Sequence, residues 1–267
     1  MTGIWGIVNV TPDSFSDGGR YLDVDRAVEH GLRLRADGAA VLDVGGESTR
    51  PGAERVGAEA EQQRVIPVIE RLVAAGAPVS IDTLNAATAD AAVRAGARIV
   101  NDVSGGLADP DMRDVVAASG ADYAIGHWRG FSDDMYARAE YHRVAREVAG
   151  ELQERMGEAA AAGIAPSRII LDPGIGFAKA GAQNWEVLRG LDEIVALGPR
   201  VLVGTSRKRF LAESLPDDPE GGVSEERRDL ATAVTSALAM HAGAWAVRVH
   251  HVAATRDALA IARAWEG

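Results

Sequence analysis

Short runs of Val, Ile and Leu alternate along this chain with longer stretches of Ala, Leu, Arg and Glu whose apolar residues recur every three or four positions. The short runs are almost continuously apolar, as strands of a parallel sheet buried on both faces should be, whereas the longer stretches carry helical periodicity. Eight strands are expected, at residues 4–10, 40–44, 79–82, 99–103, 123–127, 169–172, 201–205 and 247–250. Helical patterns lie between them, for example over 25–36, 60–74, 86–95, 145–162 and 230–241. Several helices stop at a recurring phrase, Asp37-Gly38-Ala39, Ala75-Gly76-Ala77 or Ala95-Gly96-Ala97, a few residues before the next strand. Eight strand–helix units over about 250 residues fit a (β/α)8 TIM barrel, whereas a doubly wound open sheet has about five or six strands. One domain spanning residues 1–267 is therefore expected, with the acidic, Gly- and Pro-containing stretch 216–226 as a loop at the barrel mouth.

With 47% hydrophobic and 25% charged residues among 267, the chain is long enough to bury a large core. Its formal charge of −11 leaves no broad basic surface for a nucleic-acid backbone, so DNA and RNA are not expected partners. An anionic ligand would have to be met by a few basic groups gathered in one pocket. The absence of cysteine excludes disulfides, thiolate metal sites and a cysteine nucleophile. The N-terminus, Met1-Thr2-Gly3-Ile4-Trp5, has neither a basic n-region nor a cleavage site, and no apolar run reaches about 18 residues. A cytoplasmic address without membrane partners is the expectation.

In a TIM barrel the chemistry gathers where strands end and the following loops begin. Every expected strand ends there in polar residues: Asn9, Asp43, Asp82-Thr83, Asn101-Asp102, His127-Trp128-Arg129, Asp172, Ser206-Arg207-Lys208-Arg209, and Arg248 with His250-His251. Strand ends meet solvent, so any one of these has an ordinary explanation; eight together point to a ligand. Asp82, Asn101 and Asp172 follow apolar residues directly, and a carboxylate left unpaired at the rim of a packed barrel would be costly.

A ligand bearing several N–H groups would satisfy these acceptors. An aminopterin ring presents adjacent 2-amino and N3–H donors that one carboxylate can accept together, with Asn and Lys serving the other ring positions. Arg50, Arg248 and His250 would suit a diphosphate, although a phosphosugar fits the same residues. Gly174-Ile175-Gly176 lacks the third glycine of the dinucleotide fingerprint, and neither a Walker motif nor HExxH occurs. His250 and His251 are adjacent on a strand and point to opposite faces, which disfavours a metal pair. His30, His142 and His241 read as surface or packing residues, and Trp5, Trp245 and Trp265 as core or interface; Phe15 and Phe177, in glycine-rich loops, are the aromatic candidates for a ligand.

Seven ordered motifs carry a family resemblance over nearly the whole chain. They are Asn9-Val10-Thr11-Pro12-Asp13-Ser14-Phe15-Ser16-Asp17-Gly18-Gly19, Asp43-Val44-Gly45-Gly46-Glu47-Ser48-Thr49-Arg50-Pro51-Gly52, Ser80-Ile81-Asp82-Thr83, Asn101-Asp102-Val103-Ser104-Gly105-Gly106, Asp172-Pro173-Gly174-Ile175-Gly176-Phe177, Gly204-Thr205-Ser206-Arg207-Lys208 and Arg248-Val249-His250. With them the chain resembles the dihydropteroate synthases, in particular actinobacterial-type members. The resemblance implies condensation of 6-hydroxymethyl-7,8-dihydropterin diphosphate with 4-aminobenzoate by an SN1-like route, in a homodimer. It further implies that Asp82, Asn101, Asp172 and Lys208 hold the pterin and are the catalytic set. Asn9 with Mg2+, Arg50, Arg248 and His250 would then hold the diphosphate, and Phe15, Thr49, Pro51, Phe177 and Lys208 the aminobenzoate.

The chain departs from the commonest pattern at Gly126, where many members carry a Met that packs on the pterin, at Arg209, and at Ala178-Lys179-Ala180-Gly181. The competing readings are a methyltetrahydrofolate-dependent methyltransferase, which is not expected to carry the loops 11–19 and 48–51 or Ser206-Arg207-Lys208, a catalytically silent pterin-binding paralogue, and a Schiff-base aldolase. In the last, Arg207 and Arg209 would depress the pKa of Lys208.

Overall fold

The computed structural model describes residues 3–11, 20–47, 56–130, 139–219 and 221–267. Eight parallel strands close into a barrel in chain order: β1 (Gly3–Asn9), β2 (Val41–Gly45), β3 (Val79–Asp82), β4 (Ile99–Asp102), β5 (Asp122–Gly126), β6 (Ile169–Asp172), β7 (Arg200–Val203) and β8 (Ala246–Val249). The helices are α1 (Arg20–Ala36), α2 (Ala58–Ala74), α3 (Ala86–Arg94), α4 (Met112–Ser119), α5 (Val144–Ala161), α6 (Gly181–Arg189), α7 (Leu191–Val195), α8 (Arg209–Ala212), α9 (Glu225–His241) and α10 (Val252–Glu266). The (β/α)8 expectation holds, with two refinements. Gly190 divides the β6–β7 crossover into α6 and α7, and the short α8 precedes α9 between β7 and β8. Within the stretch 216–226, Glu225 and Glu226 open α9, and the loop before them closes on itself through Asp218 N to Gly222 O at 2.6 Å and Ser224 N to the Asp218 carboxylate at 2.8 Å.

The glycine phrase is a helix stop of a definite kind. Gly76 and Gly96 take φ of +79° and +106°, and the residue after each bonds back to the helix, Ala77 N to Leu72 O and Ala97 N to Ala92 O, both at 3.0 Å. Each turn feeds the chain straight into the next strand.

Alternate strand residues separate into two cores. Trp5, Val41, Ile99, Ala124, Ile170, Leu202 and Ala246 pack inside the barrel, while Leu42, Val44, Ile81, Val100, Tyr123, Ile125 and Leu171 join the layer beneath the helices. Burying each large aliphatic side chain contributes roughly 1.5–3 kcal/mol. Trp5 is fully buried and meets Trp245 edge-on at 6.3 Å, but Trp265 is 91% exposed and belongs to neither core. Carried two residues toward the C-terminal ends, the inward parity places Asp43, Asp82, Asn101, Gly126, Asp172 and Arg248 at the mouth.

Candidate active site

Four strands bring the floor of the mouth together. Asp43 and Asn101 are buried, and Asp43 Oδ2 accepts from Asn101 Nδ2 at 3.0 Å and from Arg248 Nε at 2.5 Å. Arg248 also donates through Nη2 to Asp82 Oδ2 at 2.6 Å. Burial pushes the Asp82 carboxyl up to about 7; Arg248 opposes the shift, while Asp43, Glu61 and Asp102 reinforce it. Burial also works against the guanidinium, but Asp43, Asp82 and Asp172 outweigh it and hold Arg248 charged more firmly than usual. Arg248, expected to face the diphosphate, thus lies among the carboxylates expected to hold the ring. Its Nη1 is left over, bonded to no described residue.

The β6–α6 loop builds the opposite wall. Asp172 Oδ1 accepts from Gly174 N at 2.7 Å, and a Cβ on Gly174, whose φ is +61°, would lie 2.0 Å from His127 O. Burial raises the Asp172 carboxyl, opposed by Lys208, the Gly174 N–H, Arg248 and Lys179. Lys208 donates to Ile175 O and stands 4.9 Å from the centre of the Phe177 ring. Burial brings its ammonium down to about 8, with Asp172 opposing and Arg248 adding to the fall. Contrary to expectation, Arg207 and Arg209 are not what depresses Lys208. Arg207 is turned to α9, bonded to Asp229 at 2.7 and 2.8 Å and to Glu225 at 2.6 Å, and Arg209 is exposed beside Glu213.

Lys179, which the sequence marked only as a departure in a loop, supports this wall from behind. Its side chain is 1% exposed, and Nζ contacts Gly174 O and Phe177 O at 3.0 Å and His127 Nδ1 at 2.9 Å. The Glu151 carboxylate only accepts, so the His127 proton is assigned to Nε2, 3.1 Å from Glu151 Oε2, and Nδ1 accepts from Lys179. Burial, then the charge of Lys179, lowers His127 to about 3 and keeps the ring neutral. Asn184 fixes the same loop, accepting from Gly176 N at 2.6 Å.

Gly126 has a steric reason. A Cβ there would lie 2.4 Å from Val103 O and 2.5 Å from Val103 Cα, so the backbone leaving β4 fills the place a side chain would take. Asp102, beside Val103, is not aimed at a ligand: it accepts from Ser104 N, Ser104 Oγ, Gly106 N and Tyr123 OH at 2.6–2.9 Å.

The remaining expected residues lie around this centre. His250 Nδ1 is 2.8 Å from Ser206 Oγ, which in turn accepts from His250 N at 3.0 Å. Asn9 ends β1 opposite Gly45, half-buried, with no side-chain hydrogen bond to a described residue. Phe15, Thr49, Arg50 and Pro51 lie outside the described residues. Of the other histidines, His30 is half-buried and its pKa is lowered mainly by burial, His142 is exposed, His241 pairs with Glu266 at 2.6 Å, and His251 accepts from Ala254 N to cap α10.

Residues 5–250 match the family model described as pterin binding enzyme. The dihydropteroate synthase of Mycobacterium leprae is 51% identical over 261 residues, 97% of this chain and 92% of that protein. The structure of Xanthomonas albilineans dihydropteroate synthase with 4-aminobenzoic acid superposes with a TM-score of 0.90 at 45% identity, covering 100% of this chain and 93% of the other. The same enzyme in complex with 7,8-dihydropteroate gives 0.87 at 42% identity, with 100% and 94% coverage.

Proposed function

The chain belongs to the pterin binding enzyme family, and from that premise we propose that it joins a dihydropterin methyl diphosphate to 4-aminobenzoate as a dihydropteroate synthase. The observation that carries the reading is the inward placement of Asp82, Asn101, Asp172 and Lys208 around one mouth, with Arg248 among them. One carboxylate accepts the adjacent 2-amino and N3–H donors of the ring, and Asn101 and Lys208 serve the remaining ring positions. The C–O bond to diphosphate breaks first, leaving a pterin methylene cation; Asp82 and Asp172 are aimed at the ring before that charge develops. The amine of 4-aminobenzoate then forms the C–N bond and releases a proton. Phe177, packed beside Lys208, is one wall for its ring, and Phe15, Thr49 and Pro51 would complete the pocket.

Arg248 Nη1, His250 and Arg50 are the cationic and donor groups for the diphosphate. Asn9 offers a hard oxygen at the mouth, and no cluster of three acidic or histidine ligands occurs among the described residues. That donor set suits Mg2+, which usually takes one or two protein oxygens and completes its shell from phosphates and water. When bound there, Mg2+ supplies charge that stabilises the departing diphosphate. Binding of the pterin diphosphate measured calorimetrically with and without Mg2+ tests this arrangement; Asn9→Ala should remove the magnesium dependence while leaving binding of the ring itself.

We also propose a homodimer through the face made by α9 and α10. Leu230, Val234 and Leu238 recur at helical spacing on α9 and are 50–64% exposed, and Ile261 and Trp265 are exposed on α10, which packs against α9. Leu230→Glu with Leu238→Glu should yield a monomer by light scattering; a dimer surviving both changes would refute the interface. No helix among the described residues is long and apolar enough to cross a membrane, and we place the enzyme in the cytoplasm.

A further inference from the structure

We propose that Asp43, buried at the C-terminal end of β2, is a positioning residue of the pterin site that holds Asn101 and Arg248 in the arrangement the ring uses; this rests on the reading above. Its oxygen Oδ2 accepts from Asn101 Nδ2 at 3.0 Å and from Arg248 Nε at 2.5 Å, partners 58 and 205 positions away in the chain. With Nδ2 engaged, Asn101 turns its carbonyl oxygen to the ligand and accepts from it. With Nε on Asp43 and Nη2 on Asp82, the guanidinium plane of Arg248 is fixed at two points; Asp82 alone would leave it free to rotate. Asp102, another buried carboxylate at a strand end, behaves otherwise. It takes its four bonds from its own loop and the neighbouring Tyr123, whereas the side-chain bonds of Asp43 to described residues all go to site side chains. Asp43 Oδ1 and Ser80 Oγ, at paired positions of β2 and β3, have no partner among the described residues, so no competing scaffold bond holds Asp43.

The charge of Asp43 reaches one residue further. Asp82 is faced by Asp43 from β2, Glu61 from α2 and Asp102 from β4, against Arg248 from β8 and Lys208 beyond β7. Removing the charge of Asp43 therefore makes Asp82 easier to ionise.

Asp43→Asn keeps the shape, since one amide oxygen in the Oδ2 position can accept from both partners. We expect kcat/KM for the pterin diphosphate to fall at least about tenfold, the loss expected for weakening one charge-assisted hydrogen bond. KM for 4-aminobenzoate should stay within about twofold, and the acid limb of the pH profile should move to lower pH. A residue that merely stabilised the barrel would lower Tm yet leave both KM values and the acid limb of the folded protein in place, and that result would overturn the proposal. Should Asp43→Asn not fold, a crystal structure of the unsubstituted protein with a 6-hydroxymethylpterin decides the matter. Asp43 still joined to Asn101 and Arg248 supports the proposal, and a guanidinium swung away from it overturns the proposal. An unsubstituted protein that forms no dihydropteroate in the same assay would instead remove the functional reading on which the proposal stands.

Discussion

Replacing Gly126 by Ala adds a single methyl group, and the barrel has no room for it. The new carbon would sit 2.4, 2.5 and 2.7 Å from Val103 O, Cα and C, about 1 Å inside ordinary contact, and all three are backbone atoms that cannot rotate away. Overpacking of this kind costs about 1–3 kcal/mol, and an obstacle made of backbone puts Gly126→Ala at the upper end, near 3 kcal/mol. In a chain of this size that lowers Tm by on the order of 5–10 °C. The displacement falls on functional ground, since Val103 follows Asn101 and Asp102 while Gly126 pairs in register with Asp172. A shift near 1 Å at positioned groups can cost about a hundredfold in rate, so kcat/KM for the pterin diphosphate should fall well beyond what the lost stability explains. Urea denaturation with steady-state kinetics on the folded variant checks both numbers. A Gly126→Ala protein within about 0.5 kcal/mol of the parent and with unchanged KM would refute the steric argument.

Three further outcomes follow from the site. Lys208→Ala and Asp172→Asn should each lower kcat/KM by roughly a hundredfold or more with little loss of fold, because they remove ligand contacts rather than packing; near-normal turnover in Asp172→Asn would sink the pterin assignment. The pH profile of kcat/KM for the pterin diphosphate should be bell-shaped. Asp82, raised to about 7, must lose its proton to accept ring N–H groups, so the rate climbs through that pH; Lys208, lowered to about 8, must keep its proton, so the rate falls above it. In the ligand-free protein the raised Asp82 contributes stability present below the ordinary aspartate range and lost as pH rises toward 7, which a pH series of denaturation curves would register.

The barrel was legible because its signals are local. Uniformly apolar runs mark strands buried on both faces, and the glycine phrase marks helix ends that must turn through positive φ. Boundaries slipped by one or two residues where polar side chains carry the chain onward, as at β7, which ends at Val203 while Thr205 turns to Thr235 at 2.9 Å. The mouth was legible through the inward parity of Asp82, Asn101 and Asp172. The supports of these residues were not legible. Asp43 meets Arg248 across 205 positions, and Lys179 meets His127 across 52, through side-chain contacts that no periodicity encodes. Gly126 looked like a lost pocket side chain in the sequence. Only the path of Val103 reveals that no side chain could stand there.

Supplying purified protein with 6-hydroxymethyl-7,8-dihydropterin diphosphate and Mg2+, with and without 4-aminobenzoate, and analysing the products decides whether the chain is a dihydropteroate synthase. 7,8-Dihydropteroate and an equal amount of diphosphate are expected when the amine is present. Tight binding of the pterin diphosphate without any product would instead identify a silent pterin-binding protein, and no binding at all would refute the site assignment.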